Sequence, residues 1–166
     1  MSVKLHLGCG KKKLEGYVNI DISSEVGPDL VADICSLPYE NDSVDEILCV
    51  HTIEHVTSFY DAMKEIHRVL KKGAIARITV PCATCNSAYH PYHLWYFSYQ
   101  SFLPFEENND LERYYDFHFS KVNVTYWFAF FTRWITPFAN RFFWMYENTL
   151  FSSIFPAREL YVELIK

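Results

Sequence analysis

Three groups of residues along the chain are placed to do chemistry. Gly8-Cys9-Gly10 follows the apolar Leu5-His6-Leu7, and Asp21 closes the β-like run Tyr17-Val18-Asn19-Ile20. Glycines at the end of a strand let backbone approach a ligand closely. A carboxylate ending the neighbouring strand can accept from two ribose hydroxyls. That is nucleoside chemistry. His51, Glu54 and His55 form the second group; a neutral imidazole can take a proton from an oxygen or nitrogen nucleophile near pH 7. The third is Cys82-x-x-Cys85 with His90 and His93, a set of soft and borderline zinc ligands. Structural zinc sites usually separate their ligand pairs much further, and no second knuckle follows, so no metal is expected there.

What is absent narrows the nucleoside. A dinucleotide fingerprint needs a third glycine and a helix whose N-terminus faces pyrophosphate. Here Lys11, Lys12 and Lys13 follow Gly10, and the short stretch to Tyr17 leaves no room for a full helix. No Gly-x-x-x-x-Gly-Lys-Ser/Thr loop occurs either. A ligand without phosphate needs no helix dipole. S-adenosylmethionine, with adenine, ribose, a sulfonium and an amino-acid tail, is such a ligand.

Alternating elements must position these groups. Strands are expected at residues 3–7, 17–21, 30–32, 44–50 and 74–80, the fourth a near-continuous apolar run suited to a buried parallel strand. An amphipathic helix is expected over 58–72, where Phe59, Ala62, Met63, Ile66, Val69 and Leu70 recur at helical spacing. Thr57 or Ser58 caps its start, and Lys71-Lys72-Gly73 makes its end. The alternation predicts an open, mostly parallel twisted α/β sheet. Residues 117–128 and 159–165 read as further strands. Residues 136–150 read as a helix with Thr136 at the N-cap and Pro137 at the first helical position.

The stretches LHLGCGKKKLEGYVNID, LVADICSLPYENDSVDEILCVHTIEHV and EIHRVLKKGAIARITVP, nearly all of residues 4–81, resemble class I S-adenosylmethionine-dependent methyltransferases. More narrowly they resemble the small methyltransferase type 11 proteins, and the final PARELYVELIK is similar to that family's last strand. The resemblance implies a Rossmann-like sheet with an antiparallel last strand, here with a shortened region after strand one. It implies cofactor contacts from Gly8, Cys9, Gly10, Asp21, Ile22, Asp33, Ile34 and His51. Asp21 would hold the ribose hydroxyls, and Asp33 would accept from the adenine amino group with Ile34 beside the ring. His51, Glu54 and His55 fall where the family places residues near the methionine tail and the acceptor. Some relatives with a Glu-His-Val segment bind a divalent cation there. Glu54 and His55 are adjacent, however, and in a regular helix or strand would point apart, so no metal is expected at this position either.

The segment SAYHPYHLWYFSYQSF resembles a family lid carrying Pro-x-His-x-x-x-Phe, in which His93 matches the family histidine and His90 replaces an aspartate. His93 and His51 are therefore the candidate catalytic bases. His6 departs from an acidic residue that many relatives carry two positions before the first glycine, and is either part of the cofactor site or an ordinary core histidine. The implied activity is methyl transfer from S-adenosylmethionine to an oxygen or nitrogen of a glycan, lipid-linked or small-molecule acceptor. The alternative is a cofactor-binding scaffold or regulatory subunit without catalysis.

Length fits one domain over residues 1–166, with a cofactor half at 1–81 and an aromatic-rich acceptor or lid half at 82–166. Five cysteines and no recognisable leader suit a reducing, cytoplasmic setting. A net charge of −5, with no basic cluster beyond Lys11–Lys13, argues against nucleic acid as a partner. Of 14 Phe, 12 Tyr and 4 Trp, only Tyr17, Tyr39, Phe59 and Tyr60 precede residue 89. The aromatic stretch 121–158 also carries Lys121, Arg133, Arg141 and Arg158 against Glu147 alone. Core and lid packing, a homodimer interface, and peripheral contact with a membrane are all compatible with it.

Overall fold

The computed structural model of the chain describes residues 2–108 and 115–166. Seven strands form one sheet in the order β3-β2-β1-β4-β5-β7-β6. They are β1 (Lys4–Leu7), β2 (Val18–Asp21), β3 (Leu30–Val31), β4 (Val44–Val50), β5 (Leu70–Pro81), β6 (Lys121–Trp127) and β7 (Glu159–Ile165). β1 to β5 pair in parallel, and β7 runs antiparallel between β5 and β6. This is the open Rossmann-like sheet with an antiparallel last strand that the sequence leads one to expect.

Among the described residues one helix of useful length, α1 (Phe59–Val69), crosses from β4 to β5. Ser58 caps it by accepting from the Asp61 N–H at 3.2 Å, an arrangement worth about 1 kcal/mol. Its buried Met63, Ile66 and Val69 face the sheet, each contributing roughly 1.5–3 kcal/mol. Beneath them the register lines up Ile78, Val162 and Val124 on one face of β5, β7 and β6. Phe97, Phe102, Phe105, Phe117 and Phe119 complete that core.

The opposite face is polar. Lys4 pairs with Glu46 at 2.8 Å, Arg77 with Glu46 at 2.6 Å, and Arg77 reaches Glu163 at 3.5 Å. The Tyr17 hydroxyl donates to Glu46 at 2.8 Å. β4 is thus half-buried along one side rather than buried on both, and Glu46, Leu48 and Val50 mark the open side. Between β1 and β2 the chain makes turns only, consistent with the shortened region expected there.

Several strand ends shift by a residue, and three departures from expectation are larger. α1 ends at Val69, and Lys71-Lys72-Gly73 already belongs to β5, because Leu70 pairs with Val44 and the Gly73 N–H bonds the Lys166 carbonyl at 2.7 Å. β6 begins at Lys121, not 117, since β7 ends at its partner Ile165 and offers no ladder further on. Phe117 and Phe119 instead pack against His67 of α1. The helix expected over 136–150 is broken into α2 (Thr136–Arg141) and α3 (Phe143–Glu147), followed by α4 (Phe151–Ile154). Phe142 leaves helical geometry at φ −128°, ψ 49° and lets Phe138 meet both Phe142 and Phe151 at 5.5 Å. Aromatic packing there overrides local helix preference. Thr136 is itself helical and does not cap; Ile135 holds that position.

Candidate active site

The turn after β1 is set by backbone. Gly8 and Gly10 sit at φ +64° and +51°, a region costly for residues with a Cβ. At Gly8 a Cβ would also run into the Thr52 side chain, whereas at Gly10 it would meet open space. Asp21, ending β2, locks the turn: its carboxylate accepts from the Gly10 N–H at 2.8 Å and the Ser23 N–H at 2.9 Å. Each carboxylate oxygen retains further lone pairs for a ligand.

A crevice of about 380 Å³ opens over this edge. Gly8, Gly10, Asp21, Ile22, Asp33, Ile34 and His51 all line it. Ile22 is 71% exposed, an apolar side chain standing free beside the Asp21 carboxylate. Asp33 holds its own turn by accepting from the Cys35 N–H at 2.8 Å. Cys9 is not among the lining residues: its thiol is buried and faces the Gly10 carbonyl at 3.4 Å, and burial pushes that thiol up from its ordinary pKa. His6 does not line the crevice either. Its buried ring meets Asn19 at 3.1 Å, the place of a core histidine.

At the end of β4, His51 adopts φ +50°, a strained conformation of the kind that gathers at functional sites. Its Nδ1 lies 3.4 Å from Glu54 and its Nε2 3.3 Å from Glu159. Glu54, first, and then Glu159 raise the His51 pKa above the ordinary histidine value, against an opposing effect of burial. Glu54 is 1% exposed, and neither carboxylate oxygen has a hydrogen-bond partner among the described residues. The approach of His51 is an ion-pair distance without hydrogen-bond geometry.

Residues Ile53–His55 form a 3-10 turn, so Glu54 and His55 escape the divergence a regular helix or strand would impose. The backbone carbonyl of Glu54 accepts from Leu94 at 2.8 Å, which seats the segment carrying His93 against it. His55 Nδ1 contacts the Tyr92 carbonyl at 3.0 Å, and His93 Nδ1 contacts the Ala88 carbonyl at 2.8 Å. Carbonyls only accept, so both Nδ1 atoms donate, and Nε2 is the nitrogen left on each ring to accept in the neutral tautomer. The two rings meet edge-on at 4.8 Å.

Ligand atoms of Glu54, His55 and His93 all lie within 4.8 Å of one another. This donor set fits a divalent cation: an orphaned buried carboxylate, with two imidazoles whose other nitrogens are already oriented by carbonyls. Ligands at ~2.1 Å from an ion lie closer together than that, so an ion would draw the imidazoles inward. The cysteine-containing set takes a different form: Cys82 is buried against the Thr84 hydroxyl at 3.2 Å, and His93 alone of that set joins the cluster.

Thr52, Ala32, Val56 and Thr57 also line the crevice, and the sequence does not single them out as cofactor contacts. Glu159 reaches His51 only because β7 inserts beside β5.

The sheet order and the crevice at its carboxyl edge define the class I methyltransferase fold. Residues 5–78 match the methyltransferase-domain family of type 11, so the resemblance in the sequence is shown by the family itself over that span. Among solved structures, a SAM-dependent methyltransferase from Archaeoglobus fulgidus is similar over 99% of this chain and 86% of its own, with a TM-score of 0.69 at 15% identity. The YcgJ protein of Bacillus subtilis is similar over 99% and 92%, with a TM-score of 0.65 at 15% identity. A SAM-dependent methyltransferase from Thermotoga maritima, described as a possible histamine N-methyltransferase, covers 100% and 83% at a TM-score of 0.62 and 18% identity. Comparison with curated proteins gives no match. Among the described residues no helix is long and apolar enough to cross a membrane.

Proposed function

We propose that the chain transfers the methyl group of S-adenosylmethionine to an oxygen or nitrogen nucleophile. The adenosine end would lie over Gly8, Gly10, Asp21, Ile22, Asp33 and Ile34, and the acceptor would enter on the side of His51, His55 and His93. The observation that carries this reading is the one crevice in which a backbone-built nucleoside cradle faces His51 and His55, with the His93 ring, itself outside the lining, 4.8 Å from that of His55. In the reaction the acceptor's lone pair forms a bond to the methyl carbon as the carbon–sulfur bond breaks, and the sulfonium becomes a neutral thioether. The acceptor proton passes to a base. His93 is the better base, since the Ala88 carbonyl engages its Nδ1 and leaves Nε2 to accept a proton, whereas His51 sits between two carboxylates that favour its protonated form. Alignment of the two reactants can supply roughly 7–11 kcal/mol of the barrier.

Titration calorimetry with S-adenosylmethionine, S-adenosylhomocysteine and NAD tests the cofactor side. Binding of either adenosyl ligand and not NAD is expected, and Asp21→Ala should weaken it by about 1–3 kcal/mol. NAD binding with no response to the adenosyl ligands overturns the reading. Incubation with labelled cofactor and fractionated cell extract then tests transfer. Tight binding without any labelled product would favour the scaffold alternative.

The orphaned Glu54 carboxylate favours a second reading of the acceptor side. Glu54, His55 and His93 would hold a divalent cation, which supplies Lewis-acid polarisation of an acceptor oxygen when bound. Elemental analysis after dialysis against Mn²⁺ or Zn²⁺ decides it. About one ion per chain, lost in Glu54→Gln, supports the cation. No retained ion leaves His93 as base.

A further inference from the structure

The aromatic stretch divides into an inner and an outer set. Phe128, Ile135, Ala139 and Tyr146 are buried. Phe130, Phe131, Trp134, Trp144, Leu150 and Ile154 are between 63% and 87% exposed, more than core or lid packing requires. They sit on the 3-10 segment Phe130–Ile135 and on α3, α4 and the adjoining turn, with α2 packed between that segment and α3. Arg133 and Arg141 are exposed among them, and neither makes an ion pair among the described residues. Arg158 closes the stretch, approaching Glu159 at 3.8 Å while remaining 60% exposed. The one acidic residue, Glu147, is turned inward, where it accepts from the Tyr126 hydroxyl at 2.6 Å and the Tyr99 N–H at 2.8 Å. In a chain of net charge −5 the charges this surface turns outward are cationic, set among large apolar side chains.

Its position is equally informative. β6 ends at Trp127, which pairs with Glu159, which pairs with Pro81. Residues 128–158 therefore leave and rejoin the sheet at its carboxyl edge, the edge that carries the crevice. Glu159 itself contacts His51 of the crevice wall.

We propose that residues 128–158 dock on an anionic lipid surface and that this surface presents the methyl acceptor to the crevice; the second clause rests on the methyl-transfer reading above. Exposed aromatics interleaved with arginines suit the headgroup layer of an anionic bilayer. A second copy of the chain is a poorer occupant. A two-fold contact sets the same patch against itself, which would bring the arginines of both copies together with no outward carboxylate to neutralise them.

Co-sedimentation of the full chain with vesicles, without cofactor, tests the docking surface. Binding to vesicles of equal parts phosphatidylcholine and phosphatidylserine is expected, with a blue shift of tryptophan emission from Trp134 and Trp144. Pure phosphatidylcholine should bind much less. Phe130→Ser/Phe131→Ser/Trp134→Ser should lose at least ~10-fold in vesicle affinity, and Arg133→Gln/Arg141→Gln about 30-fold at low salt, with high salt reproducing the second loss. All replaced side chains are exposed, and circular dichroism checks that the variants fold. Equal, weak sedimentation with both vesicle types overturns the proposal, as does unchanged binding by both variants. A wild-type dimer in light scattering that the triple variant splits assigns the face to a second copy and also overturns it. Vesicle binding with no adenosyl-ligand binding would leave the lipid surface standing and remove the methyl-transfer reading.

Discussion

The two sides of the crevice are built in different ways. The donor side is backbone: two positive-φ glycines, a carboxylate that ties one of them down, and a second carboxylate that closes its own turn. Its parts lie within residues 8–34. The proposed acceptor side gathers side chains from three places, with His51, Glu54 and His55 after β4, His93 from the segment that Leu94 ties to Glu54, and Glu159 from β7. A site of the first kind is specified by local sequence and tolerates little change in backbone shape. One of the second kind is specified by the assembled sheet and can change chemistry by replacing single side chains.

The largest effect expected is on the acceptor side. His93→Ala should lower turnover by roughly 10²–10⁴ if His93 takes the acceptor proton, with cofactor affinity little changed. Single-turnover transfer and calorimetry on the same preparation separate the two quantities. Loss of cofactor binding with an intact maximal rate would place His93 on the donor side and leave His51 as the base, and the contrast between the sides would fail.

On the donor side the two glycines should differ from each other. Gly8→Ala meets both the positive φ and the Thr52 side chain, and should cost about 2–4 kcal/mol of stability. Gly10→Ala meets only the φ penalty, about 1–2 kcal/mol. Denaturant titrations give both values, and Thr52→Gly in the Gly8→Ala background should recover part of the first. Equal costs, or no recovery, would show that Thr52 does not set the turn.

This contrast also explains what could be read without the structure. The Gly8–Asp21 pairing follows from two adjacent strands and a turn too short for a helix. α1 follows from its apolar stripe and the Ser58 cap. The strand at 159–165 was legible from its alternation, since Leu160, Val162 and Leu164 face the core. Glu54 was visible as a residue but not as a buried one, because the contacts that seat its 3-10 turn come from Leu94 and Trp95, about 40 residues on. Thr52 carries no motif, and its role exists only where β4 passes beside β1. The broken helix at 136–150 was illegible for a similar reason: the ring contacts of Phe138 that favour the break come from Phe142 and from Phe151 beyond it.

The smallest effect concerns the seam between α1 and the aromatic half. His67 is half-buried, with its ring 5.3 Å from Phe117 and 5.1 Å from Phe119. Burial, first, and then the Lys166 ammonium hold its pKa below the ordinary histidine value. The fold therefore prefers the neutral ring. That contribution is fully present above the unfolded-state pKa of about 6.5, and it is lost as pH falls from there through the folded-state value. A single proton limits the slope to about 1.4 kcal/mol per pH unit. Hydrogen exchange across this window should show protection falling first in α1 and around Phe117–Phe119, while the Gly8–Asp21 turn, which lies outside the ring contacts of His67, holds to lower pH. His67→Gln should flatten the dependence. If the donor turn loosens at the same pH as α1, the two sides open as one unit, and the separation drawn between them holds for construction but not for stability.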